Sequence, residues 1–174
     1  MRTRDWYFHG WERRTDENGR SAFVYTGEYY TLPGGSPKTA AGVLTGALAV
    51  VYLTTALLPS EGGMWRIAAV PQLLALIPLI YLILGCVCLF RSKQPMTYRD
   101  WYASWRRMRV SAAAGFILTA CMTAVQLVFL FAGSYKSIGS ELFYLFRTAV
   151  CAALNGTICL FLYRHPCDQT VSPG

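Results

Sequence analysis

Charge is scarce in this sequence: only 14% of its 174 residues are Asp, Glu, Lys or Arg. A soluble globular domain carries about a quarter. Histidine is scarcer still, with His9 and His165 the only two. The chain holds no His-x-x-x-His pair, no Cys-x-x-Cys, no glycine-rich phosphate loop and no pair of carboxylates within an apolar run. Those gaps remove the usual carriers of zinc chemistry, thiol–disulfide exchange, nucleotide binding and paired acid–base catalysis. What remains for covalent chemistry is His9, His165 and Cys167, with no snug site around them to make a nucleophile and base. The sequence therefore reads as non-enzymatic, without cofactor or metal.

The missing charge is unevenly distributed. The first 38 residues carry six Lys/Arg and five acids, after which long stretches carry almost none. Crossing a hydrocarbon core of about 30 Å takes roughly 20 mostly apolar residues in a helix. Residues 39–58, 67–90 and 110–133 meet that length with no charge at all, and 142–163 meets it with Arg147 alone. Four such helices in a chain this short leave too little polar surface to cover a soluble core. The expected fold is an all-α integral membrane protein: a four-transmembrane-helix bundle over 39–163, a cytoplasmic N-terminal hairpin and linker over 1–38, and a cytoplasmic tail over 164–174. The first apolar run starts behind a polar, folded-looking segment and reads as a span rather than a secretory leader.

Basic residues set the orientation. The tail before the first span, the loop 91–109 and the tail after the last span hold thirteen Lys/Arg, against Arg66 and Lys136 in the two other loops. Positive residues resist translocation, so both termini and the middle loop are expected in the cytoplasm. A multi-pass protein of a bacterial plasma membrane fits this layout. The net charge of +7 then reads as topology and attraction to anionic lipid headgroups at the middle loop, not as a nucleic-acid footprint. Five of the six cysteines (Cys86, Cys88, Cys121, Cys151 and Cys159) fall in the spans and read as small hydrophobes.

Residues 6–13 and 21–30 are rich in aromatic and β-branched side chains and flank Asn18-Gly19, the strongest short hairpin signal. A lone hairpin is marginal in water, so this one is expected to lean on the membrane, the middle loop or another chain. Gly42 and Gly46 form a small-xxx-small pair in the first span, and Pro71 and Pro78 bend the second. In the middle loop Thr97 and Asp100 have the spacing of a capping box. Tyr98, Trp101, Tyr102, Trp105 and Met108 follow at helical spacing, with Arg99, Arg106, Arg107 and Arg109 among them. The expectation is an interfacial helix, aromatic side toward lipid, running into the third span.

Arg147 is the sharpest single feature, a cation about 8 Å inside the outer end of the fourth span at 1.5 Å per residue. It either snorkels and pairs structurally or meets an anion. No acid falls within a span as bounded above, and Glu61 and Glu141 sit at the outer rim. Asn155 and Gln126, with Gln72, Thr119, Thr123 and Thr157, either line a polar path or bond helix to helix. Asn155-Gly156-Thr157 has the glycosylation pattern at a depth where no glycan is attached. The candidate contact residues are Arg147, Asn155, Gln126, Trp101, Trp105, Arg106 and Arg107. Two functions stay open: an accessory or interaction subunit that binds other membrane chains, and an oligomeric transporter or channel component with Arg147 facing an anionic substrate.

Overall fold

A computed structural model describes residues 10–15, 21–32, 37–57, 66–133 and 137–170. Four helices dominate it: α1 (Pro37–Ala56), α2 (Arg66–Arg91), α3 (Tyr98–Ala132) and α4 (Ile138–Arg164). Each is long and apolar enough to cross a membrane. They close into a ring in which α3 packs on α2 and α4, and α1 completes the circuit by touching α4 and α2. The core inside is apolar and filled, with Leu48, Leu82, Leu89, Met108, Ile158 and Leu162 among its buried side chains. Large hydrophobics also cover the outside, Phe131 being 89% exposed and Val43, Leu73 and Phe146 exposed as well. An apolar exterior on all four helices is the surface that hydrocarbon, not water, would cover.

Local chemistry sets the helix ends. Pro37 opens α1, where its missing N–H costs nothing. Thr97 caps α3, its hydroxyl accepting from the Asp100 amide at 3.3 Å and donating to the Asp100 carboxylate at 3.0 Å. Gly133, at φ +68°, ends α3 in the left-handed conformation that glycine adopts freely. The Lys38 ammonium reaches across to the Ser92 carbonyl just beyond α2. Arg109 holds the Leu162 carbonyl near the end of α4 with two N–H groups, at 3.0 and 2.7 Å.

Two expected boundaries move. Helix α4 begins at Ile138, so Glu141 lies inside it, in the first turn, rather than on the rim. A carboxylate there meets the positive end of the helix dipole, and stopping the span at the first charge hid that. The single strand over 21–30 breaks in two. β1 (Trp11–Thr15) and β2 (Ser21–Tyr25) pair antiparallel, Trp11 opposite Tyr25, while the Asn18-Gly19 turn lies outside the described residues. The chain then bends through Gly27, and β3 (Tyr29–Thr31) leaves the hairpin altogether.

β3 becomes the centre strand of a second sheet. On one side it pairs with β4 (Met96–Thr97), on the other with β5 (Asp168–Thr170), both antiparallel. The segment before α1, the loop between α2 and α3 and the segment after α4 thus meet at one end of the bundle as a cap. Helix α3 continues into this cap. At 1.5 Å per residue its 35 residues reach roughly 52 Å, well beyond a bilayer core of about 30 Å. Within it, Tyr102–Arg106 is a π-helical turn, set against α2 where Gly85 lets the two backbones approach.

Candidate functional site

The cap is built around aromatic rings. Trp101 stacks on Tyr30, centroids 4.6 Å apart and planes 12° from parallel, with Tyr98 tilted against both. Tyr25 is the second anchor. Its ring packs closely on the adjoining Gly10 and Gly27, where a Cβ on either glycine would come within 2.8 Å of it. Its hydroxyl donates to the Glu28 carbonyl at 2.9 Å and accepts from the Tyr98 amide at 3.0 Å, fixing the hairpin to the start of α3. Burial together with the hydrogen bond to the Glu28 carboxylate pushes the Tyr30 hydroxyl up to about 12. Burial likewise raises the Cys167 thiol to about 11, offset in part by Arg109 and a hydrogen bond with Trp101. A thiol so placed is a poor nucleophile. The ring of His165, the other cap residue considered for catalysis, is held against the Phe161 carbonyl at 2.9 Å, and His9 lies outside the described residues.

The aromatic side of the α3 entry does not face lipid. Trp105 is 0% exposed and Trp101 is covered by β3. The helical spacing was legible, but the three-residue strand that covers it is brought in from far along the chain. Arg106 and Arg107 remain at the surface: Arg106 sits over the Tyr102 ring at 4.6 Å and Arg107 near the Tyr81 ring at 5.8 Å. Of the four candidate residues here, the tryptophans support the cap and the arginines flank a groove between α2 and α3.

The other three candidates stay apart, strung along α4 and its neighbours. Gln126 on α3 is wholly buried and donates its amide to the Glu141 carboxylate at 2.6 Å, and Glu141 is itself 1% exposed. About 9 Å further along α4, Arg147 donates to the Thr54 hydroxyl at 2.6 Å and lies 5.2 Å from the Phe143 ring. It ties α4 to α1. Another two turns on, Asn155 is buried against Gly115 and donates to the Cys151 carbonyl at 3.0 Å. Thr119, Thr123 and Thr157 each donate to a carbonyl four residues back in their own helices. Those three hydroxyls are satisfied within their own helices.

One link was not foreseen: Gln72 on α2 accepts from Tyr144 at 3.0 Å through its side chain and from Tyr52 through its backbone carbonyl. With Gln126 and Glu141 it places buried polar bonds on all four helices in the half of the bundle away from the cap. The tyrosines gave no signal in sequence, because an apolar span hides a hydroxyl at the tip of a largely apolar ring. A central void of only about 10 Å³, beside Leu48, Tyr52 and Asn155, is room for a single water and no more. Among the described residues, no three His, Cys, Asp or Glu side chains gather as a metal site.

The arrangement ties the helices together by side-chain hydrogen bonds and leaves β1 and Arg106 exposed at the cap. Among known proteins, no family model, no curated sequence and no solved structure matches this chain.

Proposed function

We propose that the chain is a small multi-pass plasma-membrane protein that serves as an accessory or interaction subunit, with the cap in the cytoplasm as its working surface. The observation that carries this reading is the hairpin. All five residues of β1 are exposed, and Phe23 on β2 is 61% exposed. Yet the hairpin is fixed to the bundle through Tyr25 at its base. A two-stranded ribbon anchored at its base, with an aromatic face, is the kind of surface to which another chain adds a strand or packs a helix. The filled core and the engagement of Arg147 by Thr54 weigh against a substrate pathway through a single bundle. The basic residues gathered on the cap side support the cytoplasmic placement.

Photo-crosslinkers placed at Phe23 and at lipid-facing Phe131 test the reading in intact cells. A heterologous membrane chain captured in fixed proportion from Phe23, and not from Phe131, is the expected result. Self-adducts alone, together with substrate flux in proteoliposomes of the pure protein, would replace the subunit with an oligomeric transporter. Membrane-impermeant labelling of a cysteine introduced at exposed Arg14 on β1 (Arg14→Cys) checks orientation: it should require access from the cytoplasmic side, and labelling of intact cells would overturn the topology.

A further inference from the structure

We infer that the groove between α2 and α3 is a binding site for one anionic phospholipid, the phosphate held by Arg106 and Arg107 and an acyl chain lying along the groove. The inference rests on the four helices lying in a bilayer, but it needs no protein partner.

The groove offers about 460 Å³ on the open flank of the bundle, with Arg106 and Arg107 toward the cap and a single hydroxyl, that of Ser111, further along. Its floor is Ile77 and Pro78 of α2 with Val110 and Ala114 of α3. From Met108 to the end of α3 the only charge is Arg109, which is turned to the Leu162 carbonyl and so belongs to the α4 side. Arg106 and Arg107 thus stand where the apolar part of α3 begins, at the depth where a headgroup meets acyl chain. From Arg107 to Ala114 the floor runs roughly 10 Å into the apolar zone at 1.5 Å per residue, a length suited to the upper part of one acyl chain.

Charge selects the headgroup. The two guanidiniums are paired with the rings of Tyr102 and Tyr81, and among the described residues neither forms an ion pair. A cation over an aromatic face keeps its N–H edge available, and that edge matches phosphate oxygens in a two-pronged contact. A zwitterionic lipid would bring its own cation next to two arginines, whereas an anionic one would not. Basic pockets between membrane helices on the cytoplasmic side select anionic headgroups for this reason.

The purified full chain, in mild detergent with equimolar phosphatidylglycerol and phosphatidylcholine, would be examined by native mass spectrometry. Wild type should retain phosphatidylglycerol over phosphatidylcholine by about tenfold or more, as two surface arginines allow. R106Q/R107Q should bring that ratio near one, and R106K/R107K, which keeps both charges but loses the two-pronged contact, should fall between that value and wild type. A114F leaves both arginines in place but fills the floor, so it should lower the lipid-bound fraction itself. Size-exclusion profiles matching wild type would show that the variants fold. Equal retention of the two lipids by wild type would overturn the proposal. So would an unchanged preference in R106Q/R107Q, or an unchanged bound fraction in A114F. Because no partner is present, the outcome is independent of the crosslinking result.

Discussion

Gly85 and Gly46 are both helical glycines, and the structure gives the same substitution opposite signs at the two positions. A Cβ on Gly85 would stand 2.7 Å from Met108 Cγ and 3.1 Å from the Ser104 carbonyl oxygen. Carbon atoms rest about 3.5–4.0 Å apart, so the Met108 side chain would have to shift by roughly 0.8–1.3 Å and the backbones of α2 and α3 to part by a few tenths of an ångström at the π-helical turn. The Ser104 oxygen is backbone and cannot rotate away. Overpacking of this kind costs about 1–3 kcal/mol, while alanine in a helix recovers up to about 1 kcal/mol over glycine. Gly85→Ala should therefore lose about 1–2 kcal/mol net. At Gly46 an added Cβ meets nothing within 4 Å, so Gly46→Ala should be neutral or gain about 0.5–1 kcal/mol. Unfolding by sodium dodecyl sulfate in mixed micelles, followed by far-ultraviolet circular dichroism, would rank the two against wild type. If Gly85→Ala proved as stable as Gly46→Ala, the close approach of α2 and α3 would be wrong.

Two further outcomes can be stated. Arg147→Gln and Thr54→Val should each destabilise the bundle, and a double-mutant cycle in the same unfolding assay should give a coupling of about 0.6–1.7 kcal/mol; additive effects would mean that the 2.6 Å bond does not form. The raised Tyr30 value gives the cap a pH limit: its contribution is complete below about 10, where an unfolded tyrosine begins to ionise, and it is lost as pH climbs toward about 12. Alkaline titration followed by tryptophan fluorescence should show a transition in that window for wild type, absent in Tyr30→Phe, and its persistence in the variant would assign it elsewhere.

Much of the frame was legible because hydrocarbon imposes a length and forbids charge, and the uncharged runs marked the helices to within a few residues. The exception, the start of α4, shows the limit of that rule. Glu141 looked like a boundary because its partner, Gln126, lies across a turn on another helix. The Thr97 cap was legible because its partner is three residues away. The second sheet was not. Strands of two or three residues carry no period, and β5 has no apolar alternation to announce it. The aromatic spacing before the third span correctly gave a helical face, but the direction of that face depended on Tyr30, which sequence alone could not bring there. Arg106 and Arg107 were marked by charge, while the groove beside them exists only once Ile77 and Pro78 are packed opposite.

The strand order of the cap also sets an order of events in synthesis. β3 leaves the ribosome early, but Thr31 meets Asp168 across a separation of 137 residues. At 5–20 residues per second the gap lasts roughly 7–27 s. Through that interval the hairpin and β3 wait beside an unfinished bundle with a bare strand edge. β5 can reach that edge only if α4 ends at the end of the bundle where α1 began, so an even number of antiparallel helices is a geometric condition for closing the sheet. The cap is thus a seal that forms only once all four helices are in place. A copy with one helix left out would leave that edge of β3 unpaired.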